Sequence, residues 1–161
     1  MKKDRLRGRV RIGVIGGNKP QARFLALARQ VGRLLAAENA ILVCGGLGGV
    51  MAEASAGARD AGGLTVGILP GLDPEAANPD IEIPLATGLG YTRNSLVALN
   101  ADALIAIDGE YGTLSEIAYG RIYGKPVVGL GTWDIPGVVQ VETAEEAVRL
   151  ALLAARPHAK L

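Results

Sequence analysis

The stretch Ile41-Leu42-Val43-Cys44-Gly45-Gly46-Leu47-Gly48-Gly49-Val50-Met51-Ala52-Glu53-Ala54 decides the fold. Ile41 to Cys44 is a short, uniformly apolar run, which suits a strand buried on both faces. Gly45-Gly46-Leu47-Gly48-Gly49 breaks it, and the Ala-rich segment Val50 to Ala61 then reads as a closely packed helix. A strand, a glycine turn and a helix in direct succession make the front half of a strand-helix-strand unit.

The same grammar extends in both directions. Upstream, Val10 to Ile15 is a strand that breaks at Gly16-Gly17-Asn18, and Phe24, Leu27, Ala28, Val31, Leu34 and Leu35 follow at helical spacing. Downstream, Leu64 to Leu69 is a third buried strand, Leu72 to Pro79 a loop, and Ile81-Glu82-Ile83 a short edge strand. Asn94 to Asn100 reads as a helix and Ala103 to Ile107 as a strand ending at Asp108-Gly109-Glu110-Tyr111-Gly112. A helix from Thr113 places Leu114, Ile117, Ala118 and Ile122 on one side and stops at Gly124 and Pro126. Val127 to Leu130 and Val138 to Val141 are the last strands, and Thr143-Ala144-Glu145-Glu146 matches a capping box opening the final helix. Five helices among about seven strands predict a Rossmann-like, doubly wound α/β domain with a mostly parallel sheet covered on both faces. Its bounds are 10–155, between a basic arm at 1–9 and a C-terminal tail at 156–161.

Composition removes several kinds of function. The 161 residues carry 17 Lys and Arg against 16 Asp and Glu, too balanced for a protein that holds nucleic acid by neutralising phosphates. Six of the bases fall within residues 1–11, so the body is mildly acidic. One Cys and one His cannot form an internal disulfide or a Cys/His zinc site, and His158 in the tail is badly placed for a Ser or Cys triad. Catalysis, if any, must use carboxylates, Arg, Tyr or backbone dipoles. Without an 18-residue apolar span or a signal-like run, a cytoplasmic protein with no membrane role is expected.

In a parallel sheet the ligand crevice lies beyond the carboxyl ends of the strands, where the strand order reverses. Three glycine turns converge there: Gly16-Gly17, Gly45 to Gly49, and Gly109 with Gly112. Glycines let a phosphate approach the main chain, and the helix that follows offers unpaired N–H groups. A phosphate-bearing small molecule is therefore the expected ligand. Gly46-Leu47-Gly48-Gly49-Val50-Met51 puts Met51 where a dinucleotide fingerprint needs a third small residue, and no Gly-Lys-Ser/Thr occurs, so dehydrogenase and P-loop chemistry are disfavoured.

Two charged residues stand out. Arg93 is the one base between Arg59 and Arg121, and it falls at a predicted helix start, where a cation costs about 0.3–1 kcal/mol unless an anion or carboxylate offsets it. A surface ion pair with Asp60, Glu82 or Glu116 is the plainer alternative. Glu116 lies in Thr113-Leu114-Ser115-Glu116, which matches a capping box, and capping alone could explain both Thr113 and Glu116. The functional alternative puts the Glu116 carboxylate at the crevice mouth, acting on a sugar. Cys44 is expected to be a small core residue. Tyr91 and Tyr111, beside glycine turns, suit stacking on a ring.

Gly45 to Ala54 resembles the Gly-Gly-x-x-Gly-(Val/Leu)-Met-x-x-Ala turn of the Lonely Guy (LOG) and so-called lysine-decarboxylase-like superfamily. Gly112-Thr113-Leu114-Ser115-Glu116 resembles its Pro-Gly-Gly-x-Gly-Thr-x-x-Glu signature, and Thr92-Arg93-Asn94 falls where that group keeps an active-site Arg. Gly88 to Asn94, Ala101-Asp102-Ala103, Gly112 to Ala118 and Gly124 to Val128 look closest to the short branch that includes molybdenum cofactor carrier proteins. The resemblance covers about residues 10–155 and implies a homodimer or homotetramer.

What it implies for function divides. Carried over from the hydrolases, Arg93 and Glu116 are a catalytic pair cleaving the N-glycosidic bond of AMP or an N6-modified AMP, with no cofactor required. Gly46, Gly48, Gly49, Gly112 and Thr113 hold the phosphate, with Gly16, Gly17, Gly45, Met51, Asn94 and Gly109 beside them. Carried over from the carriers, the same crevice binds the molybdenum cofactor or a nucleotide and turns nothing over. Lysine decarboxylation is not implied, since neither Lys19 nor Lys125 lies in a recognisable pyridoxal phosphate site. One departure matters: Asp108-Gly109-Glu110 stands where the hydrolases have Pro-Gly-Gly. Two carboxylates there repel a phosphate unless they point away or hold a cation such as Mg²⁺. The carrier or sensor reading therefore leads, ahead of the phosphoribohydrolase and of a purely oligomeric scaffold.

Overall fold

A computed structural model describes residues 8–155. The chain runs β1 (Arg11–Gly16), α1 (Ala22–Ala37), β2 (Ile41–Cys44), α2 (Val50–Asp60), β3 (Leu64–Leu69), β4 (Ile83–Ala86), α3 (Asn94–Leu99), β5 (Ala103–Ile107), α4 (Tyr111–Ile122), β6 (Val127–Leu130), β7 (Val138–Gln140) and α5 (Ala144–Ala155). The seven strands form one sheet in the order β4-β3-β2-β1-β5-β6-β7, parallel at every pairing. The expected doubly wound α/β domain is what forms, with an all-parallel sheet.

Strand residues alternate between two cores, as the pleat requires. Ile12, Val14, Leu42, Cys44, Ile105 and Ile107 face one core with α1, α2 and α5, while Ile15, Ile41, Val43, Leu104 and Ala106 face the other with α3 and α4. The first helical layer is drawn close by a glycine. A Cβ on Gly57 of α2 would lie 2.0 Å from the Arg29 carbonyl oxygen of α1. Among the described residues no helix is long and apolar enough to cross a membrane. Residues 1–7 of the expected arm and the whole 156–161 tail lie outside the described residues; Arg9, at the arm's end, donates from Nε to the Asn39 carbonyl at 2.8 Å.

Three local readings need correction. The edge strand is Ile83–Ala86, not Ile81 to Ile83, because Thr65 Oγ1 donates to the Asp80 carbonyl at 2.6 Å and accepts from the Glu82 N–H at 2.9 Å. That side chain occupies the backbone groups a ladder would need, and pairing starts one residue later, with Pro84 tolerated at the edge. The loop before it includes a short 3-10 turn, Pro74–Ala76. The fourth main helix begins at Tyr111 rather than Thr113, with the Leu114 N–H already donating to the Glu110 carbonyl at 3.0 Å. Thr113 and Glu116 are therefore inside the helix, and their capping box does not form. The Thr143 cap does form in its main half, its hydroxyl accepting from the Glu146 N–H at 3.2 Å.

Candidate functional site

The chain winds outward from β1 through β2 and β3 to β4, then returns to lay β5 on the other side of β1. The order thus reverses between β1 and β5, and a cavity of about 420 Å³ opens at their carboxyl ends. Gly16, Gly17, Met51, Arg93, Asn94, Gly112, Thr113 and Glu116 all line it. Five expected residues do not: Gly45, Gly46, Gly48, Gly49 and Gly109 lie in the turns that carry the lining.

Glycine geometry separates structural need from open space. A Cβ on Gly45 would stand 2.7 Å from Arg93 Nη2, and one on Gly109, where φ is +105°, 2.3 Å from Thr113 Oγ1. Those glycines answer to the fold. Gly112 differs: the nearest atom to a Cβ there is Asn94 Nδ2, 4.0 Å away. Among the described residues nothing requires a glycine at that wall.

Arg93 does not make the surface ion pair considered for it. It ends a 3-10 turn, Gly90–Arg93, is 6% exposed, and reaches back under the crevice. Its Nε donates to the Ile68 carbonyl at 2.7 Å and its Nη2 to the Gly45 carbonyl at 3.2 Å, while its Nη1 bonds the Asn94 side chain. Asp60 pairs instead with Arg29 at 2.7 Å, and Glu82 with Arg59. Asn94 continues the chain of bonds into α4, donating to Ser115 Oγ at 2.9 Å and the Gly112 carbonyl at 3.4 Å. One buried cation and one amide therefore tie β2, β3 and α4 together around the cavity.

Glu116 is 6% exposed, and its carboxyl makes no hydrogen bond among the described residues. Burial pushes it up to about 8, against the opposing pull of Arg93. At neutral pH it is thus mostly an uncharged acid facing the cavity. Burial also lowers the Arg93 pKa, and Glu116 counters that effect. Beside them, the Glu110 side chain does not cap α4, and Thr113, 4% exposed as a residue, makes no side-chain hydrogen bond among the described residues.

Beneath the floor, Cys44 is fully buried. Its Sγ accepts from the Gly46 N–H at 3.3 Å and lies 3.7 Å from Ser55 Oγ, and burial raises the thiol pKa. It is the core residue expected.

Sequence reasoning left Asn18, Lys19 and Leu47 out of the binding set, yet all three line the cavity. For Asn18 and Lys19 the signal was available in their position directly after Gly16-Gly17 at the end of β1. Tyr91, Asp108 and Glu110 also line the cavity, Glu110 as an exposed residue. Among the described residues, no three His, Cys, Asp or Glu side chains are grouped to hold a metal ion.

The model of the SLOG cluster4 family matches residues 9–159. The chain belongs to that family. A molybdenum cofactor binding protein from the phototrophic bacterium Rippkaea orientalis has a similar structure, with a TM-score of 0.85 and 35% identity over 90% of this chain and 96% of its own. The Moco carrier protein of Chlamydomonas reinhardtii superposes with a TM-score of 0.82 and 33% identity, over 91% and 97% of the two chains. A cytokinin riboside 5'-monophosphate phosphoribohydrolase of Mycobacterium tuberculosis is 34% identical over 70% of this chain. That match spans 65% of the mycobacterial enzyme. The LOG-like Rossmann relationship, on the side near the molybdenum cofactor carriers, is thereby established for the family member described here.

Proposed function

We propose that the chain binds a phosphate-bearing, nucleotide-like ligand in this crevice and carries or senses it. A phosphorylated pterin of the molybdenum cofactor type is the reading the two solved relatives support. The observation that carries it is the first turn of α4: an uncapped helix start, the free Thr113 hydroxyl, and Gly112 facing open space. Such a turn offers N–H donors and the positive dipole end to an anion. Glu116, held as a neutral acid, adds no full negative charge beside it at pH 7.

Thermal melting in the presence of GMP, AMP and a phosphorylated 6-hydroxymethylpterin tests this. A ligand at a hundred times its dissociation constant stabilises by about 2.7 kcal/mol, several degrees for a domain of this size. No rise with any of the three sinks the proposal. Gly112→Ala supplies a second check. Ala is the better helix former by about 1 kcal/mol and meets only Asn94 Nδ2 at an ordinary 4.0 Å, so the variant melts no lower than the parent. If a ligand lies against that wall, the added methyl weakens its binding at least tenfold. Equal affinity in parent and variant would put the ligand elsewhere.

A second reading, the phosphoribohydrolase, is favoured by Glu116 itself. A buried carboxyl raised to about 8 and facing the cavity is suited to proton transfer, and the mycobacterial relative has that activity by name. Incubation with AMP and an N6-substituted AMP decides it. Release of free base that disappears in folded Glu116→Gln supports hydrolysis, and no release from folded protein removes it for these substrates. The homodimer or tetramer implied by the resemblance is supported by exposed apolar side chains on α3 and α4, Leu99 and Ile122 among them.

A further inference from the structure

Asp108 is the residue the fold has fixed most unusually at the switch point. Its φ is +53°, a conformation uncommon for any residue but glycine, and Gly109 follows at +105°. The turn is pinned on both sides: the Asp108 N–H donates to the Leu130 carbonyl at 3.1 Å, and its carbonyl accepts from Thr132 Oγ1 at 2.6 Å. The carboxylate lies over Gly17, where a Cβ would stand 3.1 Å from Asp108 Oδ2. It lines the cavity half-buried, and among the described residues it makes no side-chain hydrogen bond and no ion pair. A carboxylate held this way has no donor among the described side chains and is open to a ligand in the cavity.

We infer that Asp108 is the specificity residue of the cavity, taking two hydrogen bonds from adjacent N–H donors on a planar ring, the 2-amino-4-oxo edge common to guanine and pterins. This rests on the ligand-binding function proposed above and names the ring that site prefers. The two oxygens of a carboxylate match two neighbouring donors. An adenine edge offers one donor beside an acceptor, so one carboxylate oxygen would face a lone pair. Tyr91, 86% exposed and lining the same cavity, presents a face on which a planar ring can stack. A sugar diol could also supply two donors, and a ligand lacking the diol separates the two.

Titration calorimetry of the parent and of Asp108→Asn with GMP, AMP, 2',3'-dideoxy-GMP and a phosphorylated 6-hydroxymethylpterin tests the inference. Asn keeps the size, tolerates positive φ, and exchanges one acceptor for a donor, which matches an adenine edge. The expected result is that the parent prefers GMP or the pterin over AMP by about tenfold to a hundredfold, the range of a bidentate contact. That preference collapses or reverses in Asp108→Asn, while dideoxy-GMP still binds like GMP. Equal GMP and AMP affinities in the parent, or a preference unchanged by Asp108→Asn, overturn the ring assignment and leave phosphate-ligand binding standing. Loss of affinity confined to dideoxy-GMP reassigns Asp108 to the sugar and likewise overturns it. Failure of all four ligands to bind folded parent protein overturns the underlying function as well.

Discussion

Arg93→Ala is expected to lower the melting temperature by roughly 10 °C, the largest stability effect of any single change at the crevice. The guanidinium is buried and serves three acceptors: the Ile68 and Gly45 carbonyls and the Asn94 side chain. Truncation leaves buried acceptors without a donor, at about 1–3 kcal/mol each, and opens a gap between β2, β3 and α4. A combined loss of about 3–5 kcal/mol follows. Arg93→Lys keeps the charge but cannot reach three acceptors in fixed directions, and it should fall between the two. The same Ala variant removes the cation that pulls the Glu116 carboxyl downward, so that group ionises at still higher pH. Calorimetric melting of the three proteins checks this, and a fall of less than 2 °C for Arg93→Ala would mean the tie carries no load.

Glu116→Gln is expected to stabilise the protein at pH 8 and to flatten its dependence on pH. The folded carboxyl titrates at about 8, whereas the unfolded one titrates at its ordinary value of 4.5. Between those limits the unfolded chain has lost the proton that the folded chain retains, so stability is greatest below 4.5 and falls as pH rises. The slope approaches about 1.4 kcal/mol per pH unit for one group and ends near pH 8. Gln preserves the size of the neutral acid and has nothing to titrate. Its advantage should therefore be absent near pH 4 and reach about 2 kcal/mol or more by pH 8. Urea unfolding of both proteins at pH 4.5, 6 and 8 measures it. A constant difference across that range would show that Glu116 is not the titrating group.

Much of this architecture was legible because strand and helix signals were carried by long apolar patterns. Ile41–Cys44 and Val127–Leu130 were bounded correctly by the glycine or proline beside them, and Ala103–Ile107 by Asp102 and Asp108. The errors fell where a side chain substituted for a backbone partner. Thr65 took the hydrogen bonds of residues 80 and 82, which no local pattern announces. Thr113 and Glu116 had the spacing of a cap but lie inside a helix begun two residues earlier, at Tyr111.

The site was legible in its location and less so in its parts. Glycine turns marked the right crevice, but the sequence could not say which glycines face it and which merely permit a close approach. Gly45 makes room for Arg93, whereas Gly112 faces open space, and only the packing around each distinguishes them. Likewise, Arg93 was notable for being alone in an acidic segment. That its fork is occupied by main-chain carbonyls from β3 and from the turn after β2 is a fact of tertiary structure.

The burial of Cys44 makes the molecule its own clock. The thiol is sealed at the end of β2 and bonded to the Gly46 N–H, so a thiol reagent reaches it only when the structure around it opens. The chain has a single cysteine, and the labelling rate therefore reports how often the structure around it opens, without any engineered probe. A molecule seated in the crevice above it must slow that clock, and by how much would reveal occupancy even for a ligand that has no colour and undergoes no reaction.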